Sequence, residues 1–526
     1  MNFPNNISKN TVKVYHVPDI EFKQTKRVIS INLFQWHANI PKTLKEWSIQ
    51  AICDNWAEKP LVNELPVLPD IMSLLDILPT TLPLNLTAGH IAYDCYWLRC
   101  YRDRWPKKPP IGRNFSEIES LQQEKKQVLT YSSSLSSDNS EIGDRSSKTG
   151  SSEKLSKVSS QYSKESSPSS PLSRNTAQNE ETLKTWKEFY FEMHIKEYLE
   201  NLEPENYDGE KIKEITSLCK DYVTSLTLNE MRAPTKTDVP DHIPLISILG
   251  ELHRLTELTL CFKQTYIGEK FSWHIFNTTM TDIKILAKGL EHTKLQILRI
   301  QNSDINCAKV KMLLKALSKN VRLRELDFSH CKIADHGTMV IAKYADDHEN
   351  LKHLILTNNF IGPNGVKSLA YALSLNCKLV SLNLRLNMIR SKGGQYIIRS
   401  LIHGGKHLQS LVMAGCGLTE SNLEIEKMLR YNISLKEMDL SNNRFGKDMG
   451  RVILEGLKHN KTLTHLDIRR CNFNPDTEWE ILKAIKENRS RGFVETPDSY
   501  RKTEEDPTQE IFTQEFVDEF NTVFNE

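Results

Sequence analysis

The side chains that could do chemistry in this sequence are ten cysteines and sixteen histidines spread over 526 residues. Metal sites and nucleophilic sites need several such side chains at short, fixed spacings. The sequence contains no Cys-x-x-Cys pair, no His-Glu-x-x-His motif, no Gly-x4-Gly-Lys-Ser/Thr loop and no Gly-x-Ser-x-Gly motif. Cys95 and Cys100 have no matching second pair. The sequence therefore predicts no enzyme activity, no metal and no cofactor.

Three of the cysteines follow a repeat instead. Cys331, Cys416 and Cys471 occupy one position of the pattern Leu-x-x-Leu-x-Leu-x-x-(Asn/Cys)-x-(Ile/Leu/Phe). A looser early copy begins at Leu255. The first leucine of each later copy recurs at intervals of 27 to 29 residues, at Leu295, Leu323, Leu351, Leu379, Leu408, Leu435 and Leu463. A fixed period of this length indicates a solenoid of stacked units, and the three cysteines are expected to be small buried residues.

Each copy of the pattern predicts a strand followed by a helix. The leucines alternate as in a strand with one buried face, and Asn359, Asn387 and Asn443 are placed to bond neighbouring backbone. Val366 and Leu373 lie on one apolar face of the following helical segment. A period of 28 with a full helix resembles the ribonuclease-inhibitor type. The predicted fold is therefore α/β, a leucine-rich-repeat solenoid (horseshoe) of about eight repeats in residues 240–490, with a small helical N-terminal domain.

Residues between the inward leucines should face the concave side of the horseshoe, because side chains alternate along a strand. This surface mixes both charges and includes two acidic pairs, whereas a nucleic-acid surface would be a basic stripe with aromatic residues. The sequence therefore predicts a surface for protein partners, with neither nucleic acid nor membrane bound. The candidate residues are Arg299, Glu325, Asp327, His353, Arg385, Glu437, Asp439, His465, Asp467 and Arg469.

The first 183 residues are predicted to contain three parts. Residues 1–42 are polar and are expected to form a loosely ordered arm. Residues 43–110 are rich in tryptophan and proline, which indicates a small domain of short helices with a tryptophan core. In residues 111–183, 19 of the 43 residues from 131 to 173 are serine. Such a segment buries too little apolar surface to offset chain entropy, so a disordered linker is expected.

Two further parts flank the repeats. Residues 184–239 are predicted to form a helical cap over the first repeat, because the open end of a solenoid needs cover. The tail, residues 491–526, has eight acidic and no basic residues after Lys502. Its Phe512, Phe516 and Phe520 are spaced four apart, which predicts an amphipathic helix. Two interpretations stay open: the helix docks on its own solenoid, or it inserts into the groove of a partner.

Composition limits the partners and the compartment. The formal net charge is +2, which gives no bulk attraction to nucleic acid or to acidic membranes. No run of about 18 apolar residues occurs, and the N-terminal stretch lacks an apolar signal core. A soluble intracellular protein is expected.

Several segments resemble the t-complex-associated testis-expressed protein 1 family, the leucine-rich-repeat subunits of the axonemal nexin–dynein regulatory complex. The resemblance covers roughly residues 43–110 and 184–490, and the serine-rich linker and the phenylalanine tail depart from it. The segments that carry it are residues 78–84 (LPTTLPL), 96–100 (YWLRC), 104–106 (RWP), 186–194 (WKEFYFEMH), 382–389 (LNLRLNMI) and 393–395 (GGQ).

The resemblance implies a non-enzymatic subunit of the linker between doublet microtubules in motile cilia and sperm flagella. Its implied partners are other subunits of that complex, with inner-arm dynein and doublet microtubule proteins as further candidates. The implied location is the axoneme, within the cytoplasmic cytoskeleton.

Two alternatives come from other functional classes. Leu82-Pro83, Trp97 and Trp105-Pro106 also resemble an F-box, which with leucine-rich repeats would make a substrate receptor of a ubiquitin ligase. A regulator of a small GTPase, acting through the concave face, is the third hypothesis.

Overall fold

The structure, a computed structural model, describes residues 43–62, 64–65, 67–108, 184–234, 241–263, 277–375, 377–419, 424–491 and 512–524. The predicted arm at 1–42 and the predicted serine-rich linker at 111–183 lie outside these ranges. The chain divides into two compact units, Met1–Asn175 and Thr176–Glu526. Each unit is described by itself.

The first unit contains short helices separated by prolines. They are α1 (Leu44–Asp54), α2 (Leu68–Ile77), α3 (Leu84–Thr87) and α4 (Asp94–Arg104). Helix α1 begins with a capping box, in which the Thr43 side chain accepts from the Glu46 N–H and the Glu46 carboxylate accepts from the Thr43 N–H. Proline at the start of α2 leaves no hydrogen bond unmade, because the first helical N–H groups have no partner within the helix.

Aromatic side chains of α4 fill the core of the first unit. Trp97 is fully buried, and its indole Nε1–H donates to the Ile91 carbonyl at 2.9 Å, so the polar end of the ring is satisfied. Trp56 and Trp105 are also buried. Trp47 is 59% exposed, so the prediction that the tryptophans form the core is wrong for this residue.

The second unit contains the solenoid, as predicted. Nine parallel strands pair in chain order, from β1 to β9. The extra strand relative to the eight predicted repeats is β1, which pairs with β2 from Ser225↔Glu257 to Leu228↔Leu260. The strands are β1 (Ser225–Leu228), β2 (Glu257–Cys261), β3 (Ile297–Gln301), β4 (Glu325–Asp327), β5 (His353–Ile355), β6 (Ser381–Asn383), β7 (Ser410–Val412), β8 (Glu437–Asp439) and β9 (His465–Asp467).

Helices alternate with these strands. Residues 184–206 form α5 (Trp186–Asn201) and a short 3-10 turn (Pro204–Asn206), and α6 (Gly209–Cys219) leads into β1. The helices that follow the strands are α7 (Ile246–Glu251), α8 (Met280–Leu290), α9 (Cys307–Leu317), α10 (Ala334–Asp347), α11 (Pro363–Ser374), α12 (Arg390–His403), α13 (Ile425–Tyr431), α14 (Gly446–His459) and α15 (Pro475–Arg491). A last helix, α16 (Gln514–Thr522), lies in the tail.

The register of the sheet stacks equivalent leucines. Leu298 pairs with Leu326, which pairs with Leu354, and all three are fully buried. A one-residue slip would turn every leucine to the other face, so the burial of one face specifies the register. The intervening residues therefore share the concave face, meaning the face of the sheet turned away from the helices.

The Asn/Cys position of the repeat acts as a hydrogen-bonding ladder. Asn387 donates from Nδ2 to the Leu356 carbonyl at 2.8 Å, and its Oδ1 accepts from the backbone N–H groups of Asn359 and Ile361. Cys416 instead makes a weaker bond from Sγ to the Leu384 carbonyl, at 3.1 Å. All are buried, so each side chain satisfies backbone that water cannot reach.

A second ladder lies at or near the C-terminal ends of the helices. Asn432, Asn460 and Asn488 recur every 28 residues and are buried. Asn460 Nδ2 donates to the Leu429 carbonyl at 2.7 Å and its Oδ1 accepts from the Leu463 N–H at 2.8 Å. His348 takes the same place after α10 and bonds the Asn320 carbonyl from Nε2 at 2.8 Å. Sequence inspection missed this ladder, although its period matches that of the leucines.

Helix α5 covers the free edge of β1. Phe191 of α5 is buried and stacks on Tyr222, with 4.7 Å between ring centroids. The Glu192 carboxylate accepts from the backbone N–H groups of Thr224 and Ser225, at 3.1 and 2.8 Å. These bonds pair edge groups that would otherwise offer a template for another strand.

No helix within the described residues is both long enough and apolar enough to cross a membrane.

Candidate functional site

The candidate residues of the concave face lie in two rows along the sheet. In one row Glu325 pairs with His353, and Glu437 with His465. In the other Arg299 pairs with Asp327, and Asp439 with Asp467. Arg385 and Arg469 follow their strands by two residues. The strands thus bring the predicted residues onto one surface, although over several repeats and not in one pocket.

The first acidic pair is largely used within the fold. The Glu325 carboxylate accepts from Arg299 Nε at 2.7 Å. Asp327 is only 4% exposed, and its carboxylate accepts from the Ser329 N–H at 2.8 Å and from Gln301 Nε2 at 2.6 Å. The prediction that Asp327 is exposed on the concave face is therefore wrong. The alternation rule identifies the face but not the neighbours that close over a short side chain.

The second acidic pair remains open to solvent. Glu437 is exposed and Asp439 is half-buried. Asp467 lies opposite Asp439 on the next strand. A hydrogen bond from the Arg469 guanidinium lowers the pKa of Asp467, and the charge of Arg385 contributes. The carboxylates of Asp439 and Asp467 repel each other, because they carry like charges on paired residues. The guanidinium groups of Arg469 and Arg385 offset part of this negative charge. A hollow of about 900 Å³ borders this region, lined by residues of β7 to β9 and of α15.

The three tail phenylalanines do not lie on the concave face. They surround Tyr371 of α11, with ring centroids 4.8 Å away for Phe512, 5.7 Å for Phe516 and 5.0 Å for Phe520. Phe516 and Phe520 are buried, and Lys367 Nζ lies 4.3 Å from the Phe516 ring centroid. In this structure the tail helix packs on its own solenoid, the first of the two interpretations.

The three cysteines at the ladder position are poorly suited to nucleophilic chemistry. Burial raises the pKa of the Cys331 and Cys416 thiols to about 12, and that of Cys471 to about 11. At neutral pH these side chains are thiols and not thiolates. Within the described residues, no group of three His, Cys, Asp or Glu side chains is placed to hold a metal ion.

One buried pair of titratable groups occurs near the first repeats. His242 Nδ1 lies 2.9 Å from Asp282 Oδ2, and both side chains are almost fully buried. Burial alone would raise the pKa of Asp282, but hydrogen bonds and charge from His242 and the Thr279 N–H lower it. The carboxylate also completes the capping box of α8. The pair therefore ties the segment before α7, which contains His242, to the first turn of α8.

The repeats and the stacked sheet define a leucine-rich-repeat protein. A family model described as Leucine Rich repeat matches residues 319–342, 347–370, 375–397 and 459–476. Ribonuclease inhibitor of Sus scrofa is 28% identical over 207 residues, which are 39% of this chain and 42% of that protein. The predicted type of repeat is thus confirmed.

The predicted family resemblance is also confirmed by relatives named Dynein regulatory complex subunit 5. The Mus musculus protein is 28% identical over 349 residues, and the Homo sapiens protein is 27% identical over the same length. Each alignment covers 62% of this chain and 55% of the relative. The chain therefore spans little more than half the length of these two curated relatives.

Proposed function

We propose that this chain is a non-enzymatic structural and regulatory subunit of the nexin–dynein regulatory complex in the axoneme of motile cilia and flagella. In this role it links doublet microtubules and regulates dynein-driven motility through protein–protein contacts. Its partners are other subunits of the complex, with inner-arm dynein and doublet microtubule proteins as further candidates. The observation that carries the proposal is its similarity to relatives named Dynein regulatory complex subunit 5.

The geometry supports binding over chemistry. The charged candidates spread across β3 to β9, and the exposed ones form no converging constellation of nucleophile, base and orienting group. Solenoids offer extended surfaces of this kind to macromolecular partners. Affinity on such a surface comes from many contacts, and exposed charges mainly set association rate and salt dependence.

The concave face is proposed as the docking surface of the second unit, centred on the open acidic pair. Glu437 is exposed, and Asp439 is accessible beside the hollow of about 900 Å³. A partner that covers this region would supply Lys or Arg side chains. His353, Arg385 and His465 would lie within the same contact area.

The test is a charge change on the concave face with a matched change elsewhere. Glu437→Lys with Asp439→Asn alters the charge by three units, and Asn keeps an acceptor for the Ser441 N–H that Asp439 binds at 2.9 Å. The control, Asp448→Lys with Glu455→Gln, makes an equal change on the exposed surface of α14. Both are expressed in ciliated cells that lack the native protein, and incorporation into isolated axonemes is measured.

We expect the wild type and the control to enter the axoneme and the concave-face variant to be depleted at least five-fold. Absence of the wild-type protein from the axoneme would refute membership in the complex. Equal incorporation of all three proteins would leave membership standing and remove the concave face as the docking surface.

A further inference from the structure

Large apolar side chains are exposed on neighbouring loops of the middle repeats. Phe360 is 55% exposed, Leu386 is 50% exposed and Met388 is 58% exposed. The loops are adjacent, because the Asn358 N–H donates to the Arg385 carbonyl and the Leu386 N–H donates to the Ala414 carbonyl, both at 2.9 Å. Phe360 and Met388 line one cavity of about 750 Å³. These three residues are called the loop patch.

The backbone makes two of these residues unusual. Leu386 and Phe360 both have φ near +58°, in the left-handed region that disfavours bulky side chains. The seven repeats from Leu295 onward use this conformation at the position of Leu386, and its other occupants are three asparagines, a glycine, a histidine and an arginine. The residues at this position are Asn302, His330, Asn358, Leu386, Gly415, Asn442 and Arg470.

Phe360 also has a left-handed backbone conformation that is unfavourable for a bulky side chain. At the same place in later repeats the left-handed conformation recurs at Gly417 and Asn472, but not at Met388. Where the backbone is left-handed, folding favours Asn or Gly over a bulky apolar side chain. Bulky apolar residues at strained, solvent-exposed positions point to a contact outside the fold.

The charged residues on the loops of the patch themselves are all basic. The loops at residues 356–362, 384–392 and 413–419 carry Arg385, Arg390 and Lys392 and contain no Asp or Glu. Lys367 lines the same cavity, and burial together with the nearby Lys392 lowers its pKa. The acids that border the cavity are Asp335, Glu515 and Glu519, which come from α10 and α16 and not from these loops.

The tail helix is an example of a segment that packs beside this surface. Helix α16 is acidic and apolar on one face, and it lies beside the loop patch with Phe516 against Lys367. A segment of similar chemistry would match the apolar loops and their cationic rim in the same way.

We propose that the loop patch is a docking surface for a partner polypeptide segment that carries large apolar side chains flanked by Asp or Glu. The proposal rests on the proposed function, since the segment belongs to another component of the axonemal complex. The contact lies on the strand-to-helix loops, so it is separate from the concave-face surface.

The test uses the substitution that the other repeats suggest. Phe360→Asn with Leu386→Asn removes both apolar side chains and relieves the backbone. The control is Val321→Asn, which removes an apolar side chain that is 68% exposed in a turn before β4. Full-length proteins are added to axonemes from cells that lack the native protein, and the bound fraction is measured against protein concentration. Thermal unfolding of each variant is recorded alongside.

We expect the double variant to bind at least ten-fold more weakly than the wild type and to unfold at the same or a higher temperature. The control should bind within two-fold of the wild type. Arg390→Glu with Lys392→Glu should also weaken binding, and the difference from the wild type should shrink at high salt. Arg390→Lys with Lys392→Arg keeps both charges and should bind as the wild type does.

Each contrary result has a separate meaning. If the wild type does not bind the axonemes, the proposed function fails and this inference fails with it. If the wild type and the double variant bind equally, only the inference fails. Light scattering tests whether a second copy of this chain occupies the loop patch. A wild-type dimer that becomes monomeric in the double variant would assign the patch to that second copy and overturn the proposal.

Discussion

At the scale of single residues, the ladder position shows how one side chain can serve two repeats. Asn387 bonds backbone on both sides of it, whereas Cys416 offers only a weak donor. Both are buried, so the difference between them is one of hydrogen bonding and not of burial. The ladder thus contains strong and weak links in one continuous core.

This difference predicts unequal costs of truncation. Asn387→Ala leaves the Asn359 and Ile361 N–H groups without the oxygen that now accepts from them. Each buried group left unpaired costs roughly 1–3 kcal/mol, so a loss of about 3 kcal/mol is expected. Cys416→Ala should cost about 1 kcal/mol, because the thiol is a weak donor. Chemical denaturation of both variants measures this, and equal losses would contradict the ladder account.

The buried pair of His242 and Asp282 predicts a dependence on pH. The folded-state pKa of Asp282 is lowered from its ordinary value of 3.8. Such a carboxylate contributes stability above its unfolded pKa and loses it as the pH falls through the folded value. The unfolding temperature of the wild type should therefore fall more steeply below about pH 4 than that of Asp282→Asn. Parallel curves for the two proteins would show that the pair contributes nothing in this range.

At the scale of elements, the tail helix is held by its apolar face. Helix α16 has nine residues, which is too short to be stable alone in water. Phe520 is fully buried, with Lys343 Nζ 5.5 Å from its ring centroid. The packing on Tyr371 is therefore what makes this segment helical.

Phe520→Asp should release the helix from the solenoid. The substitution removes a buried ring worth roughly 2–3 kcal/mol and places a charge against an apolar surface. Asn521→Asp adds the same charge at the next, exposed position and serves as the control. Hydrogen exchange should show lost protection over residues 514–522 in the first variant only. Retained protection in Phe520→Asp would mean that the packing on Tyr371 does not hold the helix.

The strands and helices of the repeats were predictable because one physical rule repeats. Leucines at a fixed period specify which face is buried, and burial specifies the register. The strand β1 was not specified by the repeat, because it precedes the periodic region. The second ladder was missed since His348 and Gly405 interrupt its asparagines. The packing of α16 could not be predicted, because a phenylalanine stripe indicates a partner surface without saying whose it is.

The site was less predictable than the fold. Alternation placed Glu437 and Asp439 correctly on an accessible face, but it could not show that Ser329 and Gln301 close over Asp327. The loop patch was missed, because an exposed Leu or Phe in a leucine-rich sequence is indistinguishable from a core residue until the backbone is known. Its signal is comparative: at the left-handed position of Leu386 no other repeat from Leu295 onward carries a large apolar side chain.

At the scale of the whole molecule, stability of the second unit is expected to be independent of the serine-rich segment. The contacts of a solenoid are mostly between neighbouring repeats, so its stability is close to a sum of local terms. The pairing of β1 to β9 in chain order follows this plan, and α5 closes its first edge. Residues 131–173 are rich in serine and therefore have little apolar surface with which to pack on the solenoid.

Deleting residues 120–175 should therefore leave the unfolding temperature of the solenoid unchanged within about 1 °C, since few stabilising contacts would be lost. Deleting residues 184–201 is the comparison, because it removes Glu192 and Phe191 from the edge of β1. That deletion should lower the unfolding temperature by several degrees, at roughly 2–4 °C for each kcal/mol lost, and should promote association through the uncovered strand. Calorimetry with light scattering measures both quantities. A loss on deleting 120–175 as large as that on removing α5 would show that the serine-rich segment packs on the repeats.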